Sequence, residues 1–227
     1  QYWLHSKPGA PWITLSVENP RPTALDGKND YQGLNVRLSQ AGAPLTLVGK
    51  EVVAGISWTP NIQGTWKWTS DSLLHFQPSE DWRTDQEYTL QFLKSVFSPQ
   101  IRIEKLTYEV ETERFNPHLT NTIFYQDPSD PKVKKLVATM RFNYRVDRSS
   151  LEKRIGIVRI EPRPGVIPDI ETPVGFSVRY DEHGREAYIH SDVIPIEREE
   201  RKLRLVIDKG VLAASGGRET QEELQGS

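Results

Sequence analysis

The sequence predicts an all-β protein built as two tandem antiparallel β-sandwich domains. Three observations carry that expectation. Short apolar–polar alternations recur along the chain, with Pro, Gly, Asn and Asp breaks spaced at roughly 8–12 residues, the rhythm of a sandwich. The block Gly55–Phe92 reads G-I-S-W-T-P…G-T-W-K-W…L-L-H-F-Q-P-S-E-D-W…Y-T-L-Q-F and sets four of the six tryptophans in strand-turn-strand context. No sustained helical apolar stripe is present, and the 16 prolines would interrupt one.

The strands follow in order. Trp12–Val17 alternates apolar with polar residues, as a half-buried strand should, and Asn19-Pro20-Arg21-Pro22 ends it. Leu34–Leu38 alternates again, and Leu45–Val48 does so more loosely. Ile56-Ser57-Trp58 leads to Pro60, and Gly64 precedes Thr65–Trp68. Ser70-Asp71 turns the chain into Leu73–Phe76, which Pro78 stops, and Tyr88–Phe92 begins the next strand. Ile101–Ile103 and Leu106–Val110 complete the first set. Leu74 and Phe76 are expected on opposite faces, so that one of them alone meets the inter-sheet core. Trp82 is expected to plug the open end at a corner.

Thr112–Thr122 holds Pro117 and little periodicity, and the domain boundary is placed there. The first sandwich is then 1–115 and the second 116–227. Asp127–Pro131 reads as a turn just inside the second module. Strands are expected at Lys135–Tyr144, Gly156–Ile160, Phe176–Tyr180, Ala187–His190 and Lys202–Ile207. Leu151–Arg154 reads as one helical turn capped by Ser149 or Ser150. The tail Ser215–Ser227 reads as a linker or the start of another element. The modules look like distant repeats, opening on Leu34–Leu38 and Val137–Phe142 and closing on Tyr88–Phe92 and Leu203–Ile207.

Composition narrows the function classes. At 36% hydrophobic and 26% charged residues, the chain has enough apolar content for a core beneath a hydrophilic surface. Its formal net charge of -2 argues against a general nucleic-acid binder, which needs a basic face. The absence of cysteine excludes a disulfide framework, a Cys nucleophile and zinc-thiolate or iron–sulfur sites within these 227 residues. No apolar run is long enough to span a bilayer and no signal-peptide pattern is present. A chain that opens at Gln1 and closes at Gly226-Ser227 is expected to be a processed product or an excised fragment.

The five histidines, His5, His75, His118, His183 and His190, are the first candidates for a base or a metal ligand. No pair has metal-motif spacing. His75 alternates with Leu74 and Phe76 and reads as a solvent-facing strand residue. His190 adjoins Ser191-Asp192, but triads converge from distant segments and adjacency carries little weight. Glu80-Asp81, Glu109-Glu111-Glu113 and Glu197-Glu199-Glu200 are the carboxylate clusters. The second lies on one strand face and reads as a solvated edge rather than a calcium site, since no Asp/Asn loop with a turn glycine accompanies it. Gly216-Gly217 is too short to mean phosphate binding. Trp66 and Trp68 share a face, so a sugar-stacking platform is the alternative to the favoured core packing. No catalytic, cofactor-binding or metal-binding residue is assigned, ligand-binding residues are left unknown, and no cofactor is expected.

These motifs bear a family resemblance. The P…G-x-W-x-W hairpin, the L-x-F-x-P strand, the D-W corner and the Y-x-x-x-F strand of Gly55–Phe92 resemble the macroglobulin-like domains near the N-terminus of bacterial α2-macroglobulins. The segments A-P-L-T-L-V-G-K, F-Y-Q-D-P, V-D-x-x-x-L-E-K-R-I and A-Y-I-H-S look like the large periplasmic members, and the resemblance covers most of Trp12–Gly217. It implies macroglobulin-like sandwiches, akin to immunoglobulin and fibronectin type III modules. It further implies a non-enzymatic scaffold fragment of a periplasmic, inner-membrane-anchored protein that traps or inhibits proteases in bacterial defence. The implied partners are proteases acting on the full-length protein, other domains of the same chain and cell-wall synthesis proteins. Nucleic acid is not among them, and the membrane is reached only through an anchor outside this chain. Many family members couple to the attacker through a Cys–Gln thioester, which a chain without cysteine does not hold; no bait segment is recognisable. An adhesion or wall-carbohydrate module of immunoglobulin-like fold is the alternative reading.

Overall fold

A computed structural model describes residues 9–23, 31–161, 169–195 and 202–226. The chain divides into two compact units, Gln1–Glu113 and Arg114–Ser227, each with its own apolar core. Both are β-sandwiches, and among the described residues no helix is long and apolar enough to cross a membrane.

The first unit contains β1 (Trp12–Ile13), β2 (Leu15–Val17), β3 (Leu34–Leu38), β4 (Glu51–Val52), β5 (Ile56–Thr59), β6 (Gly64–Trp68), β7 (Leu73–Pro78), β8 (Glu87–Phe92), β9 (Arg102–Ile103) and β10 (Thr107–Glu111). One sheet has the order β2-β3-β7-β6-β4, another β10-β8-β5, and β1 pairs with β9 in parallel. Strand alternation sends every second side chain inward. Val36, Leu38, Trp66, Trp68, Leu74 and Phe76 from the larger sheet thus share a core with Trp58, Tyr88, Leu90 and Phe92 from the smaller. Fully burying one such side chain stabilises by about 1.5–3 kcal/mol.

Leu74 and Phe76 correct the expectation that one of them alone faces the core. Both are buried, because residues two apart on a strand share a face. Leu45–Leu47 is a 3-10 turn rather than a strand, and none of its residues is buried. Gly64 opens β6 where the backbone passes close to β7. A Cβ there would lie 2.5 Å from the Phe76 ring and from the Gln77 carbonyl oxygen.

The second unit contains β11 (Pro117–Gln126), β12 (Lys134–Phe142), α1 (Arg148–Glu152), β13 (Ile155–Glu161), β14 (Ile170–Pro173), β15 (Phe176–Tyr180), β16 (Glu186–Ser191), β17 (Lys202–Ile207) and β18 (Leu224–Gly226). Two antiparallel sheets, β11-β12-β16-β15 and β14-β13-β17-β18, enclose the core. Leu136, Ala138, Met140, Ala187 and Ile189 face it from one sheet, and Ile155, Ile157, Leu205 and Ile207 from the other.

Three details depart from the sequence reading. The aperiodic segment around Pro117 is a ten-residue strand, with the proline at its first position, where no ladder donor is lost. The helical turn begins at Arg148 and is capped by Asp147, whose carboxylate accepts the Ser150 N–H at 2.6 Å, and not by Ser149 or Ser150. Ser150 braces the cap instead: its hydroxyl donates to the Asp147 carbonyl and accepts the Leu212 N–H. The tail is part of the second unit, since β18 pairs with β17. Gly216 and Gly217, with φ of 78° and 110°, adopt left-handed backbone suited to glycine before it.

Candidate functional site

The tryptophan motif is the first place to look for a site, and the fold closes it. Trp66 is 6% exposed, and Trp68 and Trp82 are 0% exposed. Trp58 stands at the centre of an aromatic cluster. Its ring lies 6.0 Å from Trp66 in a stacked arrangement, 5.6 Å from Trp82 edge-on, 5.7 Å from Phe76 and 6.1 Å from Tyr88. Such offset and edge-on contacts match the ring quadrupoles and add to area burial. Trp82 enters from the turn after β7, and its indole N–H donates to the Gln32 carbonyl at 2.9 Å. The cluster is therefore packing, and neither Trp66 nor Trp68 presents a face to a sugar.

The histidines do not converge. His75 is half-buried rather than simply solvent-facing: its Nδ1 lies 2.9 Å from Asn35 Oδ1, and Asn35 Nδ2 donates to Glu18. His118 and His183 are exposed on separate elements, and His5 lies outside the described residues. His190 and Ser191 are neighbours on β16 and so point to opposite faces. The Ser191 hydroxyl is buried, donates to the Asp192 carbonyl at 2.8 Å and accepts the Leu136 N–H at 2.9 Å. It is a backbone clamp for the β12–β16 end, and the imagined Ser-His-Asp arrangement is not formed. Burial, with Arg179 and Lys135 nearby, holds the His190 imidazole below its ordinary pKa.

The carboxylates serve turns and edges. Glu80 accepts the Gln63 N–H, while Asp81 accepts the Thr23 hydroxyl and the Trp82 N–H. Glu109, Glu111 and Glu113 are exposed, the first two on the edge strand β10. Glu197, Glu199 and Glu200 lie outside the described residues. Among the described residues, no three His, Asp or Glu side chains gather as metal ligands.

Two polar clusters escaped the sequence reading. Asp181 accepts backbone N–H groups from His183, Arg185 and Glu186 in the turn before β16. Burial pushes its carboxyl up, but these bonds and the His183 charge outweigh that and leave it below its usual range. The D-E-H-G tetrapeptide, with Asp at the first turn position and Gly at the fourth, is the signal that marks this turn. Glu186 joins Tyr188 at 2.5 Å and Arg141 at 2.8 Å across the outer face of β16 and β12. That contact depends on strand register, which no local motif encodes.

No family model matches the chain. It is 31% identical over 195 residues to an "Alpha-2-macroglobulin" of Pasteurella multocida, covering 84% of this chain and 10% of that protein. It is also 31% identical over 203 residues to an "Alpha-2-macroglobulin homolog" of Yersinia pestis, covering 88% of this chain and 10% of the relative. An "Alpha-2-macroglobulin" of Rickettsia conorii is 24% identical over 173 residues, covering 76% of this chain. The chain thus spans about a tenth of the length of the curated relatives it matches.

Proposed function

The chain belongs to the bacterial alpha-2-macroglobulin family, and from that premise we propose that its two sandwiches are a non-enzymatic scaffold. They form the N-terminal macroglobulin-like portion of a much longer periplasmic protein, held at the inner membrane by an anchor elsewhere, that traps or inhibits proteases. One observation carries this reading. The motif by which the chain is most recognisable is spent on packing, with Trp58, Trp66, Trp68 and Trp82 all 6% exposed or less. Its chemistry is that of a rigid spacer. The stacked rings resist deformation, so a sandwich of this kind moves as a body and passes displacement to its neighbours in the longer protein. Burial of Trp66 and Trp68 counts against the carbohydrate-binding alternative, which needs their faces in solvent.

The test uses the full-length parent, with and without residues 1–227, against several unrelated proteases. The reading expects the intact parent to be cleaved at a discrete segment and then to shield the protease from large substrates while small ones are still hydrolysed. Deletion should weaken the shielding. A parent that restrains no protease and is cut at no discrete position refutes it.

A further inference from the structure

The outer end of β11 is an edge strand of unusual composition. Its sheet order places it at the margin, with β12 as its hydrogen-bonded neighbour. Alternate backbone N–H and C=O groups therefore point away from the sheet, a template for another strand. Natural edges are normally blunted with lysine, proline or inward-pointing charge. Beyond its first residue, β11 carries no proline and no Asp, Glu, Lys or Arg. Three consecutive large apolar residues are exposed there instead: Ile123 at 45%, Phe124 at 54% and Tyr125 at 41%. Because successive side chains alternate, this exposure lies on both faces of the strand. The earlier half of β11 is different, for β18 lies against it, with Gly226 beside Leu119 and Thr122. The open stretch is Ile123–Gln126.

Charge says what would cover it. Register sets Tyr125 opposite Lys135 and Gln126 opposite Lys134, so the two lysines flank the open edge on opposite faces. Lys134 Nζ lies 5.9 Å from the Phe124 ring centre. The connecting turn adds two carboxylates, which stay charged while Asp127 accepts the N–H and hydroxyl of Ser129 and Asp130 accepts the Lys132 N–H. With Lys132, Lys134 and Lys135 against them, the balance at this end of the edge is still positive. An incoming strand thus meets apolar contacts in the middle and ammonium groups on either side.

We propose that Ile123–Gln126 receives an extended acidic polypeptide segment by strand addition, with main-chain bonds to β11 and carboxylates set against Lys134 and Lys135. Strand addition takes its affinity from the backbone ladder and its selectivity from alternate side chains. The probe is a labelled eight-residue peptide alternating valine and glutamate, blocked at both ends, titrated into the 227-residue chain. A lysine counterpart and an alternately N-methylated version serve as controls. The glutamate peptide should bind at least about tenfold more tightly than the lysine one, and N-methylation should abolish binding. Amide resonances of Ile123–Gln126 should shift and become protected from exchange. Lys134→Glu with Lys135→Glu should cost about tenfold in affinity without loss of fold. Equal binding of the two charge types, undiminished binding of the N-methylated peptide, or shifts centred elsewhere would each overturn the proposal. So would a concentration-dependent dimer through this edge that the glutamate peptide does not displace.

Discussion

Replacing Trp82 with alanine tests the architecture of the first sandwich most directly. The indole is 0% exposed and touches Trp58, Phe76 and Tyr88 at ring distances of 5.6, 5.9 and 5.3 Å. A tryptophan buries on the order of 200–250 Å². At about 25 cal/mol per Å² the ceiling is about 5–6 kcal/mol, and residual compactness of the unfolded chain lowers it towards about 4 kcal/mol. That agrees with the roughly 3–5 kcal/mol seen for Trp→Ala in cores. With a urea dependence of about 2 kcal/mol per molar, the midpoint should fall by about 2 M. The readout is favourable, because all six tryptophans lie within Gln1–Glu113 and emission follows that unit while the other remains folded. Trp82→Phe keeps a ring in place but removes the donor to Gln32, and should cost about 1–2 kcal/mol. A midpoint for Trp82→Ala within about 0.3 M of the parent's would refute the core assignment, since it corresponds to well under 1 kcal/mol.

Asp147→Ala should destabilise the second unit by about 1 kcal/mol, the cost of a lost helix cap, while Asp147→Asn should lose only part of that; chemical denaturation decides. Gly64→Ala should cost about 1–3 kcal/mol, because the new methyl meets the Gln77 carbonyl and the Phe76 ring; a neutral result in thermal melts would show that β6 can move away from β7. His190 should titrate in NMR below the ordinary histidine value of about 6.5. The sign follows from linkage: as pH falls through about 6.5 the unfolded chain takes up the proton first, so the second unit loses stability there, and its full stability lies above that pH. His190→Gln should flatten that part of the profile, and an unchanged profile would clear His190 of the effect.

Much of the fold was legible because the sheets obey a period of two. Leu34–Leu38, Phe176–Tyr180 and Lys202–Ile207 are strands with the bounds that alternation gave, and Trp66 and Trp68 do point inward together. What escaped was set by other forces. Leu45–Leu47 has strand-like residues, but none is fully buried, Leu47 alone packs against the core, and the chain after Pro44 coils instead. The strand at Pro117–Gln126 hides because its outer end is exposed on both faces, so burial imposes no alternation. The Asp147 cap was missed because two serines nearer the apolar residue are equally good caps by type; geometry chose between them. His75 shows the limit at the candidate sites. Its partner Asn35 is 40 residues away, brought alongside by the register of β3 with β7.

The parallel pairing of β1 with β9 bears on how this protein is made. Trp12 and Ile13 meet Arg102 and Ile103 across some ninety residues of intervening chain, and β5 awaits β8. Ribosomes deliver about 5–20 residues per second. In synthesis β1 therefore waits on the order of 5–20 s before its partner strand exists, with Ile13 lacking its ladder partner meanwhile. Loop closure over that span is slow compared with local pairing. The first sandwich cannot be completed piecemeal as it appears: β1, made ahead of the other strands of this unit, is among the last to find its place.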